Sequence, residues 1–189
     1  MAHANNSIIT SKLKGSLGKE LVFREWEGKT IVAKSPKAQS GESTAAQAGT
    51  REKFMLASRY AKAITKSADQ SLAEGYASAL RPRQNVYSRA IEDFMSSPVV
   101  KSIDPENYKG VLGGTFIIRA MDDFRVTRVH VEIYASNGLQ IEAGNAVQNL
   151  NGIDWTYSSR QSNNLVADSR IKVIASDVPG NEGVLEVSL

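Results

Sequence analysis

The runs Phe116-Ile117-Ile118-Arg119-Ala120-Met121 and Arg128-Val129-His130-Val131-Glu132-Ile133-Tyr134 decide how the second half of this chain folds. In the first, Phe116, Ile118 and Ala120 alternate with Ile117, Arg119 and Met121. In the second, Val129, Val131 and Ile133 alternate with Arg128, His130, Glu132 and Tyr134. A period of two sends successive side chains to opposite sheet faces, so each run predicts a strand with one apolar face. Downstream, Ser136-Asn137-Gly138 is a hairpin signal, and Leu139, Ile141 and Ala143 resume the alternation. Ile153, Trp155 and Tyr157 repeat it, as do Ile171, Val173 and Ala175, and Gly183 to Leu189 supplies a closing strand. Trp155 reads as a core anchor whose indole nitrogen needs a partner.

Upstream the texture differs. Leu21, Phe23 and Glu25 alternate with Val22, Arg24 and Trp26, then Glu27-Gly28 turns the chain into Lys29-Thr30-Ile31-Val32-Ala33-Lys34. This predicts a hairpin with neither face cleanly polar, hence covered on both sides. Thr44-Ala45-Ala46-Gln47 fits a capping box opening a helix to about Lys66, with Phe54, Ala57, Tyr60, Ala61 and Ile64 on one stripe. Leu72, Tyr76 and Leu80 predict a second helix stopped by Pro82; Val86, Ala90 and Phe94, flanked by Tyr87 and Ile91, predict a third. Ser96-Ser97-Pro98 and Asp104-Pro105 mark a join. The expected class is α+β: residues 1–101 form a hairpin and helical module, and residues 102–189 an all-β, immunoglobulin-like sandwich of six or seven strands.

The 189 residues include 23 Lys+Arg, 20 Asp+Glu, two His and no Cys. The absence of cysteine excludes disulfides, thiol nucleophiles and Cys-based metal sites. His3 and His130 are too few for a multi-histidine centre. The longest apolar run, Phe54-Met55-Leu56-Ala57, is far short of a membrane span, and the first residues have no signal-peptide core. The expectation is a cytoplasmically made, soluble protein without a Sec leader, reaching the exterior only by release or in a particle. Charge is uneven: residues 1–101 carry 16 Lys+Arg against nine Asp+Glu, residues 102–189 seven against 11. Complementary halves can attract one another between copies.

Four places are candidates for function. Arg51, Arg59, Lys62 and Lys66 fall on one side of the first helix and suit a phosphate backbone or an acidic protein surface. The segment Asn6 to Leu13, with Ile8, Ile9 and Leu13 as apolar anchors, can add a strand to a neighbour's sheet or to its own. Trp26 is a further interaction candidate on the hairpin. Asp122, Asp123, Asp177 and the side-chain carbonyl of Asn181 are hard oxygens of the kind calcium takes. Turn chemistry accounts for the same residues and there is no EF-hand spacing, so no metal is assigned. His130 and Glu132 share a strand face, but alternation alone guarantees such pairs, and no Gly-x-Ser-x-Gly elbow occurs. The sequence points to no catalytic residue and no cofactor.

Asp122-Asp123-Phe124-Arg125-Val126, Trp155-Thr156-Tyr157 and Ala175-Ser176-Asp177-Val178-Pro179-Gly180-Asn181 resemble a bacterial immunoglobulin-like domain. Gly28-Lys29-Thr30, Pro36 and Arg51-Glu52-Lys53-Phe54 resemble the amino-terminal part of a group of small bacterial proteins that pair a hairpin and helical region with such a domain. The resemblance spans about Gly18 to Asn181 and carries over no catalytic residue. It implies a spacer, adhesive unit or assembly part. The expected function is a non-enzymatic structural or interaction protein that self-associates, as in a filament, appendage or phage-like particle. A nucleic-acid-associated protein is the alternative, and a carbohydrate or surface adhesin a further one.

Overall fold

The computed structural model describes residues 2–3, 13–26, 28–36, 41–164 and 166–189. The chain is α+β and divides into two compact units, Met1–Thr44 and Ala45–Leu189. The first unit is one antiparallel sheet ordered β1-β4-β3-β2, built from β1 (Ala2–His3), β2 (Gly15–Leu17), β3 (Leu21–Trp26) and β4 (Lys29–Lys34). The expected hairpin is β3–β4, closed by the pair Trp26–Lys29. Gly28 at φ 73° supplies the left-handed conformation that the second turn residue requires. Ile8 and Ile9 lie outside the described residues, as does the side chain of Trp26.

The second unit opens with α1 (Ala45–Lys66), α2 (Ser71–Ser78) and α3 (Val86–Met95). Ala57, Ala61 and Ile64 of the predicted stripe are buried, and Tyr60 packs against the same cluster, but Phe54 is 51% exposed. Helix lengths give the reason. At 1.5 Å per residue α1 is about 33 Å long and its partner α3 about 15 Å, so the first turns of α1 outrun their cover. Helix α3 starts at Asn85, whose side chain accepts from Ser88 N–H while the Ser88 hydroxyl accepts from Asn85 N–H. An Asn85→Ala variant is expected to lose about 1 kcal/mol in urea unfolding, because the Ser88 amide at the helix start loses its side-chain acceptor.

Two antiparallel sheets follow, a β-rich arrangement compatible with a sandwich. One is ordered β5-β6-β10-β9, from β5 (Val99–Asp104), β6 (Thr115–Met121), β9 (Val147–Gln148) and β10 (Asp154–Ser158). The other is ordered β12-β11-β7-β8, from β7 (Val126–Tyr134), β8 (Gln140–Asn145), β11 (Arg170–Asp177) and β12 (Glu182–Ser188). Register brings Phe116 opposite Tyr157 and Ile118 opposite Trp155 in the first. In the second, Val129, Val131 and Ile133 lie opposite Ala175, Val173 and Ile171. All ten belong to one buried cluster fed by both sheets. Trp155 is the core anchor expected, yet its indole nitrogen is buried without a hydrogen-bond partner. At Gly183 a Cβ would stand 1.8 Å from the Pro98 carbonyl oxygen, so only glycine lets β12 approach the start of β5.

The observed division falls at Thr44/Ala45, whereas composition suggested residue 101. The smaller apolar cluster, Ala61, Ile64, Ala73, Tyr76 and Ala90, is helical, but Phe124 from the turn between β6 and β7 packs against it. Helices and sheets therefore share one unit. The charge asymmetry changes meaning with the boundary: residues 1–44 hold seven Lys+Arg against four Asp+Glu, and residues 45–189 hold 16 of each. Among the described residues no helix is long and apolar enough to cross a membrane.

Candidate functional site

Helix α3 buries a polar face. Arg89, Ala90 and Asp93 are its buried residues, while the apolar Val86, Tyr87, Ile91 and Phe94 are only partly covered. Spacing of four puts Arg89 and Asp93 on one side of the helix, where both meet the turn that links β6 to β7. The Arg89 guanidinium donates to Asp123 Oδ2 at 3.0 Å and to the Asp123 carbonyl, and also reaches Glu92 Oε2 at 3.0 Å. It lies 5.8 Å from the Phe124 ring centroid. Phe124 stacks on Tyr76 at 4.3 Å.

Asp93 is wholly buried. Its Oδ2 accepts from the Tyr76 hydroxyl at 2.5 Å, and the Tyr60 hydroxyl lies 2.9 Å from that of Tyr76. Its Oδ1 is buried with no hydrogen-bond partner, and the same holds for Oδ1 of Asp122 and of Asp123. A carboxylate oxygen from each of Asp93, Asp122 and Asp123 lies within 4.8 Å of the other two. Burial, reinforced by the charges of Asp122, Asp123 and Asp177 and opposed by the Tyr76 hydrogen bond, pushes the Asp93 carboxyl up to about 7. Burial also raises Asp177, against the pull of its bonds from Asn181 and Gly180, and burial raises Tyr76. A cavity of about 370 Å³ lined by Ser96, Ser97, Lys101, Asp122 and Asp123 reaches the cluster.

The acidic residues singled out in the sequence therefore part company. Asp177 is used by its turn: Oδ1 accepts from Gly180 N–H and Asn181 N–H at 2.8 and 2.6 Å, and Oδ2 accepts from the Asn181 amide at 2.7 Å. The Asn181 amide also donates to the carbonyls of Phe94 and Ser96 at the end of α3, at 3.2 and 2.8 Å. Asp122 is split, with Oδ2 accepting from Phe124 and Arg125 N–H at 3.0 Å each and Oδ1 bonded to nothing. Asp93 was missed by sequence reasoning. The available signal was an Arg and an Asp four apart flanking Ala90 on a helix otherwise assigned by its apolar residues.

The other candidates do not converge on this cluster. Arg51, Arg59, Lys62 and Lys66 are exposed along α1, and Leu13 is exposed in the first unit. His130 and Glu132 bond to different partners: His130 Nδ1 lies 2.8 Å from Asn145 Oδ1, whereas Glu132 Oε2 accepts from Lys172 at 3.0 Å and Tyr134 at 2.9 Å. The Lys172 hydrogen bond holds Glu132 below its ordinary value, a poor setting for a general base.

Neither a family model nor a curated protein matches the chain. Among solved structures it is similar to an engineered protein determined by crystallography at 1.98 Å, with 16% identity and a TM-score of 0.32. That match covers 58% of this chain and 27% of the other, so it spans about a quarter of the engineered protein's length. A likeness of this size bears on neither fold type nor function.

Proposed function

We propose that this chain is a non-enzymatic structural or interaction protein that self-associates through its amino-terminal sheet and carries an immunoglobulin-like module. One observation carries the reading. The two buried apolar clusters among the described residues are both built from residues of the second unit, while Leu13, Leu17 and Leu21 of the first are exposed. A small sheet with no buried apolar cluster among its described residues gains from cover in water, and a second copy supplies an identical, self-complementary surface. Phe54, Met55 and Leu56 add exposed apolar surface on α1. Lettered in chain order from β5, the sheets read A-B-E-D and G-F-C-C′, the strand order of immunoglobulin sandwiches, which supports the module. The chain departs from antibody domains in lacking the disulfide and in carrying its tryptophan on β10, strand E of that lettering.

Light scattering on the full chain tests the proposal. The expected mass is a multiple of 20.5 kDa, falling to one copy when residues 1–14 are deleted or when Leu17 and Leu21 are both changed to lysine. A wild-type protein that stays monomeric at about 0.1 mM, a concentration sufficient for micromolar association, would sink it.

A second reading, nucleic-acid association, is favoured by the exposure of Arg51, Arg59, Lys62 and Lys66 along one helix. It predicts retardation of DNA or RNA at low salt that weakens steeply as salt rises. A protein that retards neither at low salt removes it.

A further inference from the structure

The geometry points to a calcium site at the joint between α3 and the β6–β7 turn, formed by carboxylate oxygens of Asp93, Asp122 and Asp123. Three acidic residues near one another make no site by themselves. Here one of them, Asp93, is wholly buried and keeps an oxygen with no partner, and the two others each keep a buried, unbonded oxygen as well. A buried carboxylate oxygen left bare in this way costs desolvation without return. One carboxylate oxygen from each of the three residues lies within 4.8 Å of the other two, and a cation held among them relieves that cost.

Charge and distance fit a divalent ion. Arg89 is the guanidinium on the cluster, and it is already engaged with Asp123 and Glu92. Glu92 has Arg81 as a second partner. Asp93 and Asp122 are then two carboxylates with no salt bridge among the described residues, a charge that one divalent ion balances. The three ligand oxygens lie within 4.8 Å of one another, which leaves each at most about 2.8 Å from a common centre, so side-chain adjustments of a few tenths of an ångström bring all three to calcium–oxygen distance. Magnesium binds at about 2.0–2.1 Å in a strict octahedron and fits a span of that size less well. The cavity lined by Asp122 and Asp123 leaves a way in and room for the water ligands that complete a calcium shell. Bound there, the ion ties the helical layer to the sheets.

The test uses the full chain, stripped with chelator and titrated at about pH 8, where ordinary carboxyls are ionised. Calcium chloride, magnesium chloride and sodium chloride of matched ionic strength are compared by calorimetry and thermal melting. One calcium per chain is expected, with a Kd of roughly millimolar or tighter and at least tenfold preference over magnesium. At a calcium concentration about a hundredfold above Kd the melting temperature is expected to rise by some 5–10 °C. Asp93→Asn and Asp122→Asn keep an acceptor for the Tyr76 hydroxyl and for the Phe124 and Arg125 amides, so both are expected to fold. Each is expected to weaken calcium binding at least tenfold. No saturable calcium response beyond that of sodium overturns the site, as does a response equal for magnesium or unchanged in both variants.

Discussion

Arg89→Ala is expected to lower the stability of the Ala45–Leu189 unit by about 3–5 kcal/mol and its melting temperature by about 10 °C or more. The Arg89 side chain is 2% exposed and stands between Glu92 on its own helix and Asp123 on the β6–β7 turn. Alanine removes a cation from a place that holds Asp93, Asp122 and Asp123 and leaves their repulsion uncompensated. Asp123 and Glu92 keep 22% and 30% of their side-chain surface in water, which softens the loss toward the lower figure. Arg89→Met separates the two contributions: it retains apolar contact with Phe124 and loses only charge and hydrogen bonds. The melt should remain a single transition for this unit, since Phe124 belongs to the helical cluster and Asn181 grips the end of α3. A variant within 1 kcal/mol of wild type, a typical surface-substitution effect, would show that Arg89 does not hold the layers together.

The strands and helices were legible because their residues obey one rule each. Val129, Val131 and Ile133 are buried at alternate positions, and the helical spacing of Ala57, Ala61 and Ile64 survives intact. What periodicity does not encode is which elements lie beside one another. The change of texture near residue 101 marks a change from helix to strand, and a compact unit spans it. The opposite charges on either side of that residue meet inside one unit at Arg89 and Asp123, a pairing that composition reads equally well as attraction between copies. The candidate site was half visible for the same reason. Asp122 and Asp123 stand together in the sequence, whereas their third partner, Asp93, comes from a helix 29 positions earlier and is placed there by packing. Asp177 and Asn181 share the same acidic and amide chemistry, yet spend it on their own turn and on the α3 carbonyls.

In chelated buffer the wild-type protein is expected to lose stability as pH rises from about 4 to about 7, opposite in sense to a salt-bridged carboxylate. The Asp93 carboxyl ordinarily titrates at 3.8 and is pushed up to about 7 in the folded chain. Between those values the folded protein holds a proton that the unfolded chain has released. Stability therefore falls with pH, by at most about 1.4 kcal/mol per unit, a few kcal/mol across the window. Asp177, also raised, acts in the same direction. The groups around Asp93 do not cancel this: Tyr76 and Tyr60 are both raised and stay protonated, and Arg89 is committed to Asp123 and Glu92. Glu92, Glu132 and Asp154 are lowered, and their stabilisation is lost only as pH falls through the acid range. Asp93→Asn removes the ionisable group while retaining an acceptor for Tyr76, so urea unfolding of this variant should vary much less with pH above 5 and exceed wild type at pH 8. A wild-type curve as flat as that of the variant would mean that Asp93 reaches its charged form without cost, and that the buried carboxylates at this joint do not feel one another.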